Sequence, residues 1–137
     1  MFFMRHRMSH IVWVALVAVA TLAACEKKPA QISISQTDID LGTVFTNDAA
    51  HSLDVEFRNV GDEDLVINSV WPSCECVTVE RFDSIVGGGK KGTIRVNYNF
   101  SIYPPGDIER SISISSNSAD TAYHDVYFHA LLKYANN

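Results

Sequence analysis

The sequence predicts an all-β protein, an antiparallel two-sheet sandwich of about seven strands behind a cleaved leader. Three observations predict it. Apolar and polar residues alternate with period 2 in run after run between residues 31 and 134. Gly, Pro, Asn and Asp break the runs at short intervals, and no window of helical length carries a 3.6-residue period.

The leader comes first. Met1–His10 is basic through Arg5 and Arg7, and Ile11–Ala24 follows as 14 residues without a charge, ending Leu22-Ala23-Ala24-Cys25. That stretch is shorter than the roughly 20 apolar residues that span a bilayer and fits a signal peptide. Its end matches a bacterial lipobox: an aliphatic residue, two small ones that admit a peptidase, and a cysteine whose thiol takes a diacylglycerol. Cleavage before Cys25 frees an amine for a further acyl chain, and at about 0.8 kcal/mol per buried CH₂ two or three chains make a durable anchor.

The expected organisation is a signal peptide over 1–24, a lipidated cysteine with a short polar tether over 25–30, and one domain over 31–134. The whole chain of 137 residues carries 11 basic and 16 acidic residues; without Arg5 and Arg7 its formal charge moves from -5 to -7. So acidic a domain is a poor ligand for nucleic acid.

The strands follow in order. Gln31–Gln36 and then Ile39–Phe45 read as one extended stretch. His51–Asn59 sets Leu53, Val55 and Phe57 on one face and Asp54, Glu56 and Arg58 on the other, and Gly61–Asp64 is a turn. Leu65–Trp71 turns Leu65, Ile67 and Val70 inward, and Val77–Phe82 alternates again. After the glycine-rich break Gly87–Gly92 come Thr93–Phe100, a turn at Pro104–Asp107, Glu109–Ser115, a loop at Asn117–Asp120, and Tyr123–Tyr134.

The order of motifs along this stretch resembles the bacterial family designated domain of unknown function 1573. Asp40-Leu41-Gly42 stands near the first strand, Phe57-Arg58-Asn59-Val60-Gly61-Asp62 matches F-x-N-x-G-D, and Leu65-Val66-Ile67 matches L-x-I. Ser73-Cys74-Glu75-Cys76-Val77-Thr78 takes the place of S-C-G-C-T, Gly88–Gly92 that of P-G-x-x-G, and Ser116-Asn117 precedes the last strand. The resemblance implies an immunoglobulin-like sandwich related to pilus chaperones and major sperm protein. It departs at Glu75, where the family has Gly, and at Gly88, where it has Pro. A left-handed turn at residue 75 would be costly for Glu.

Cys74 and Cys76 are the pair that can carry chemistry. In an oxidising envelope they can form a small-ring, reducible disulfide, exchange thiols, or hold a soft ion such as Cu(I). His51, His124 and His129 are the remaining candidate ligands, at no recognisable metal spacing. Gly87-x-Gly89-x-x-Gly92 matches a dinucleotide fingerprint only formally, because a strand rather than a helix follows. Asp62-Glu63-Asp64 reads as a solvated turn. Trp71, Tyr103 and Tyr127 suit core packing or loop anchoring or, if exposed, a partner or a sugar ring, and Ser84 and Thr121 lie in D-[ST]-aliphatic sequons.

The expectation is a non-enzymatic binding or scaffolding domain with no metal or other cofactor, held to the membrane through Cys25 and partnered by another envelope protein or a glycan. Glu26 after the cysteine favours the outer membrane, facing the periplasm or the cell surface. The alternative is a thiol-redox or soft-metal protein working through Cys74 and Cys76.

Overall fold

The computed structural model describes residues 25–47 and 50–135. The expected signal peptide over 1–24, with Leu22, Ala23 and Ala24 of the lipobox, lies outside the described residues. The strands are β1 (Ile32–Ile34), β2 (Asp38–Phe45), β3 (His51–Asn59), β4 (Leu65–Pro72), β5 (Val77–Phe82), β6 (Ile85–Val86), β7 (Lys91–Tyr98), β8 (Gly106–Ser116) and β9 (Tyr123–Lys133). One sheet has the order β1-β3-β7-β5 and the other β2-β9-β8-β4-β6. The all-β sandwich expected from the alternation is present.

Alternation builds the core directly. Successive side chains of a strand point to opposite faces, so every second residue can turn toward the facing sheet. Val55 and Phe57 of β3 and Ile94 and Val96 of β7 meet Leu65 and Ile67 of β4, Ile112 and Ile114 of β8, and Val126, Phe128 and Leu132 of β9, all buried.

The chain departs from the expectation in strand count and direction. Nine strands form among the described residues rather than about seven. The first extended stretch divides, because the chain leaves one sheet after β1 and enters the other at β2. There β2 runs parallel to β9, with Asp38 beside Tyr127 and Val44 beside Leu132, so the sandwich is not wholly antiparallel. Period 2 says which side chains turn inward but not which strand lies alongside or in which direction. The short β6 pairs with the start of β4, and Gly106, expected in a turn, already pairs with Leu132 at the start of β8.

Two motif residues hold one end of the sandwich together. Asn59 is fully buried: its amide nitrogen donates to the carbonyls of Glu63 (2.7 Å) and Val86 (2.9 Å), and its oxygen accepts from Gly61 (3.0 Å) and Gln31 (3.3 Å). Asn117 clamps the start of β4, its oxygen accepting from Val66 N–H at 2.8 Å and its amide donating to the Asp64 carbonyl at 3.1 Å. At the neighbouring turn, Lys90 N–H donates to Gly87 O, and Gly89 takes a φ of 72°, which a glycine adopts without steric cost. A Cβ at Gly88 would stand 2.5 Å from Asp62 O, so here the chain runs too close to its neighbour for a proline.

Candidate functional site

The cysteine pair forms the corner between the two sheets, after β4 and before β5. Cys74 and Cys76 are joined by a disulfide with Cα atoms 5.2 Å apart. Cys76 is buried, Cys74 half-buried, and Glu75 exposed at the tip. No non-glycine residue among those described has a positive φ, so Glu75 carries none of the left-handed strain expected if the motif needed glycine there. With the sulfurs bonded to each other, neither is a thiolate ready to hold a soft ion. The corner is also pinned without them: Ser73 N–H donates to Ser111 O, Ser73 Oγ accepts from Ser111 N–H, and Asn99 N–H donates to Cys76 O.

The histidines do not converge on this corner. His51 stacks on Tyr98 with ring centroids 5.4 Å apart. His124 Nε2 lies 3.1 Å from Asp120, and His129 bridges Asp38 (2.9 Å) and Glu109 (3.5 Å) on the other sheet. Among the described residues no group of three or more His, Cys, Asp or Glu side chains is arranged to hold a metal ion. Asp62, Glu63 and Asp64 are exposed, and Asp62 is engaged by the backbone of Lys28.

Ser73 extends the β4–β8 ladder and thereby places Trp71 on the outer face of the five-stranded sheet. Register brings Trp71 beside Ser113, and Ser113 beside Asp125; one row over, Ser69, Ser115 and Tyr123 lie side by side. Trp71 and Tyr123 lean together over the small serines and stack, centroids 6.4 Å apart and ring planes 29° apart. They remain 52% and 61% exposed, so stacking on each other has not buried them. Ser113 Oγ donates to Asp125 at 2.5 Å, and Tyr127, 40% exposed, lies on the same face beside Ser111. Tyr103, by contrast, is half-buried against Phe100 and under the Arg110 guanidinium, a loop anchor. Sequence reasoning misses Tyr123, because it opens a strand and reads as an ordinary β residue.

The outer face of the other sheet is different in kind. Arg95 grips Asp54 through two hydrogen bonds of 2.7 and 2.6 Å, which hold the carboxyl below and the guanidinium above their ordinary pKa ranges. Asn97 takes up Ser52 and Glu80, and Lys91 faces Glu56. Those groups satisfy one another, as a solvated face does. The Trp71–Tyr123 face has exposed rings beside serine hydroxyls and the Asp125 carboxylate. Ser84 and Thr121 are exposed, away from the strands' inner faces.

The profile of the family described as a protein of unknown function (DUF1573) matches residues 32–131. No curated protein matches the sequence. Solved structures share the fold. A protein of unknown function from Porphyromonas gingivalis W83 is 20% identical with a TM-score of 0.67, covering 77% of this chain and 48% of that one. The YadV chaperone is 15% identical at a TM-score of 0.56, covering 78% and 54%. The PapD-like domain 7 of human CEP192 is 10% identical at 0.57, covering 79% and 89%. The chain thus spans about half the length of the Porphyromonas protein.

Proposed function

The chain belongs to the DUF1573 family, and from that premise we propose that it is a lipid-anchored envelope protein whose sandwich is a non-enzymatic binding module. In this reading Cys25 carries the lipid, the protein resides at the outer membrane, and the outer face of β2-β9-β8-β4 receives the ligand. One observation carries it: the exposed Trp71–Tyr123 stack beside a floor of serines and Asp125. The PapD-like fold is consistent with a binding role, as are the many polar motif residues, such as Asn59 and Asn117, that are spent on bracing the fold.

Of the two partners the sequence leaves open, an envelope glycan suits this face better than another protein. Across the strands Trp71 pairs with Ser113 and Tyr123 with Ser115, and Ser69, Ser111 and Asp125 occupy the adjoining positions of the same ladders. Rings stack on the apolar face of a pyranose while hydroxyls and a carboxylate bond its rim, whereas the core of a protein interface is depleted in serine and aspartate. The test is retention of the purified lipoprotein on immobilised neutral oligosaccharides, N-acetylated ones included. Trp71→Ala and Tyr123→Ala should each weaken retention about tenfold. Retention untouched by both substitutions, or crosslinks to envelope proteins through this face, would reject the glycan.

Thiol exchange through Cys74 and Cys76 has less support, since Cys76 is only 8% exposed and the corner is held by Ser73 and Asn99 independently of sulfur.

A further inference from the structure

We infer that the end of the sandwich formed by residues 60–64, 87–90 and 117–120 faces the bilayer at close range, and that the strands run outward from it. The inference rests on the proposed lipidation of Cys25 and adds what the residues behind that cysteine do.

Those residues are not a free tether. Lys28 N–H donates to Asp62 Oδ2 at 3.0 Å, and Lys28 O accepts from Asp62 N–H (2.9 Å) and Glu63 N–H (3.3 Å). Ala30, 3% exposed, accepts from Ala119 N–H at 2.9 Å; Gln31 O accepts from Val60 N–H at 2.8 Å; Ile32 N–H donates to Ser118 Oγ at 3.0 Å. Gly61 lies so close to Pro29 that a Cβ there would stand 2.0 Å from its carbonyl oxygen. The folded body therefore begins at Lys28, not at the expected residue 31.

Only Cys25, Glu26 and Lys27 separate the thioether from this docked segment, a leash of at most about 10 Å when fully extended. A flexible linker leaves a domain free to tumble; one this short keeps its point of attachment at the headgroups. The attachment lies at strand ends: β3 and β8 finish there, and β4, β7 and β9 start there. The 11 residues of β9 span about 34 Å, so the far ends of the strands stand well clear of the bilayer.

The Cys74–Cys76 corner and the 99–105 loop, with Ile102 at 83% exposed, then form the distal tip, and the Trp71–Tyr123 face looks sideways. Charge does not hold the near end down. With the leash it carries Glu26, Asp62, Glu63, Asp64 and Asp120 against Lys27, Lys28, Lys90 and Arg58, whose guanidinium donates to Gly89 O, which gives anionic lipid no purchase. The leash does the holding.

The test uses the full, lipidated protein in phosphatidylethanolamine–phosphatidylglycerol vesicles, with a single fluorophore on Lys90→Cys or on Ile102→Cys and an energy acceptor on the lipid headgroups. At Lys90 quenching should be several-fold stronger than at Ile102. A long Gly-Ser insert between Lys27 and Lys28 should erase most of that difference. Protein that floats with the vesicles but quenches equally at both sites overturns the orientation alone. Protein that fails to float overturns the lipid anchor, and the orientation with it.

Discussion

Gly92 stands directly opposite Phe57 in the β3–β7 ladder, and a Cβ on it would come within 2.4 Å of Cζ of the phenyl ring. The ring is 1% exposed and fills the space that a side chain at residue 92 would need, with Val86 Cγ2 closing on the same position at 2.8 Å. Gly92→Ala should therefore cost about 1–3 kcal/mol through overpacking. Urea denaturation should show Phe57→Leu recovering part of that loss in the double variant, because the two sites share one volume. Strictly additive losses would contradict the shared volume.

Removing the Asn59 carboxamide strands partners on three segments at once. Asn59→Ala leaves the carbonyls of Glu63 and Val86 and the N–H groups of Gly61 and Gln31 without the bonds they now have. At 1–3 kcal/mol for each buried polar group left unpaired, partly offset where water enters, the expected loss is roughly 3 kcal/mol. A thermal melt should register it as a fall in Tm of well over 10 °C, since each kcal/mol moves the Tm of a domain this size by about 4–8 °C.

Asp120 makes stability depend on acid. Its carboxyl accepts from the Ser118 hydroxyl first, then from His124 and the Thr121 backbone, and these bonds hold its pKa at about 2, below the ordinary 3.8. A carboxyl whose folded pKa is depressed stabilises the fold fully above its unfolded pKa and loses that contribution as pH falls through the folded value. Stability should thus decline between about pH 4 and pH 2, and Asp120→Asn should flatten that part of the curve. Equal slopes for the two proteins in guanidinium titrations across this range would count against the assignment.

The disulfide should matter modestly to stability. A ring closed by residues two apart restricts the unfolded chain little, about 1.5 kcal/mol by the loop-entropy relation. Ser73 and Asn99 keep their own backbone bonds at the corner. Reduction, or the double Cys74→Ser, Cys76→Ser variant, should leave the β-sheet circular dichroism intact and lower the unfolding free energy by about that amount. Collapse of the fold on reduction would show that the corner depends on sulfur.

The inner faces of β3, β7 and β9 are legible in the amino-acid sequence, because burial on a strand repeats every second residue and leaves its mark on the chain. Val55, Phe57, Ile94, Val96, Val126 and Phe128 are all readable in this way. The switch of sheet between Ile34 and Asp38 is not, since both sides of the switch alternate alike and the parallel partner β9 lies some 90 residues away. Asn59 likewise reads only as the last residue of a strand; the approach of Val86 and Gln31 makes it a buried hub.

By itself the sequence determined the all-β class, the membership in a family and the location of the cysteine corner, all of which are written in local period and local motif. Tertiary structure decided the rest. It set Trp71 against Tyr123, 52 positions apart, and it docked Lys28–Ile32 onto the sandwich through bonds made mostly by the main chain of that segment. Main-chain bonds need no particular side chain on the docked segment, so a Pro-containing polar stretch that reads as a tether carries no sign of them until its partners are in place.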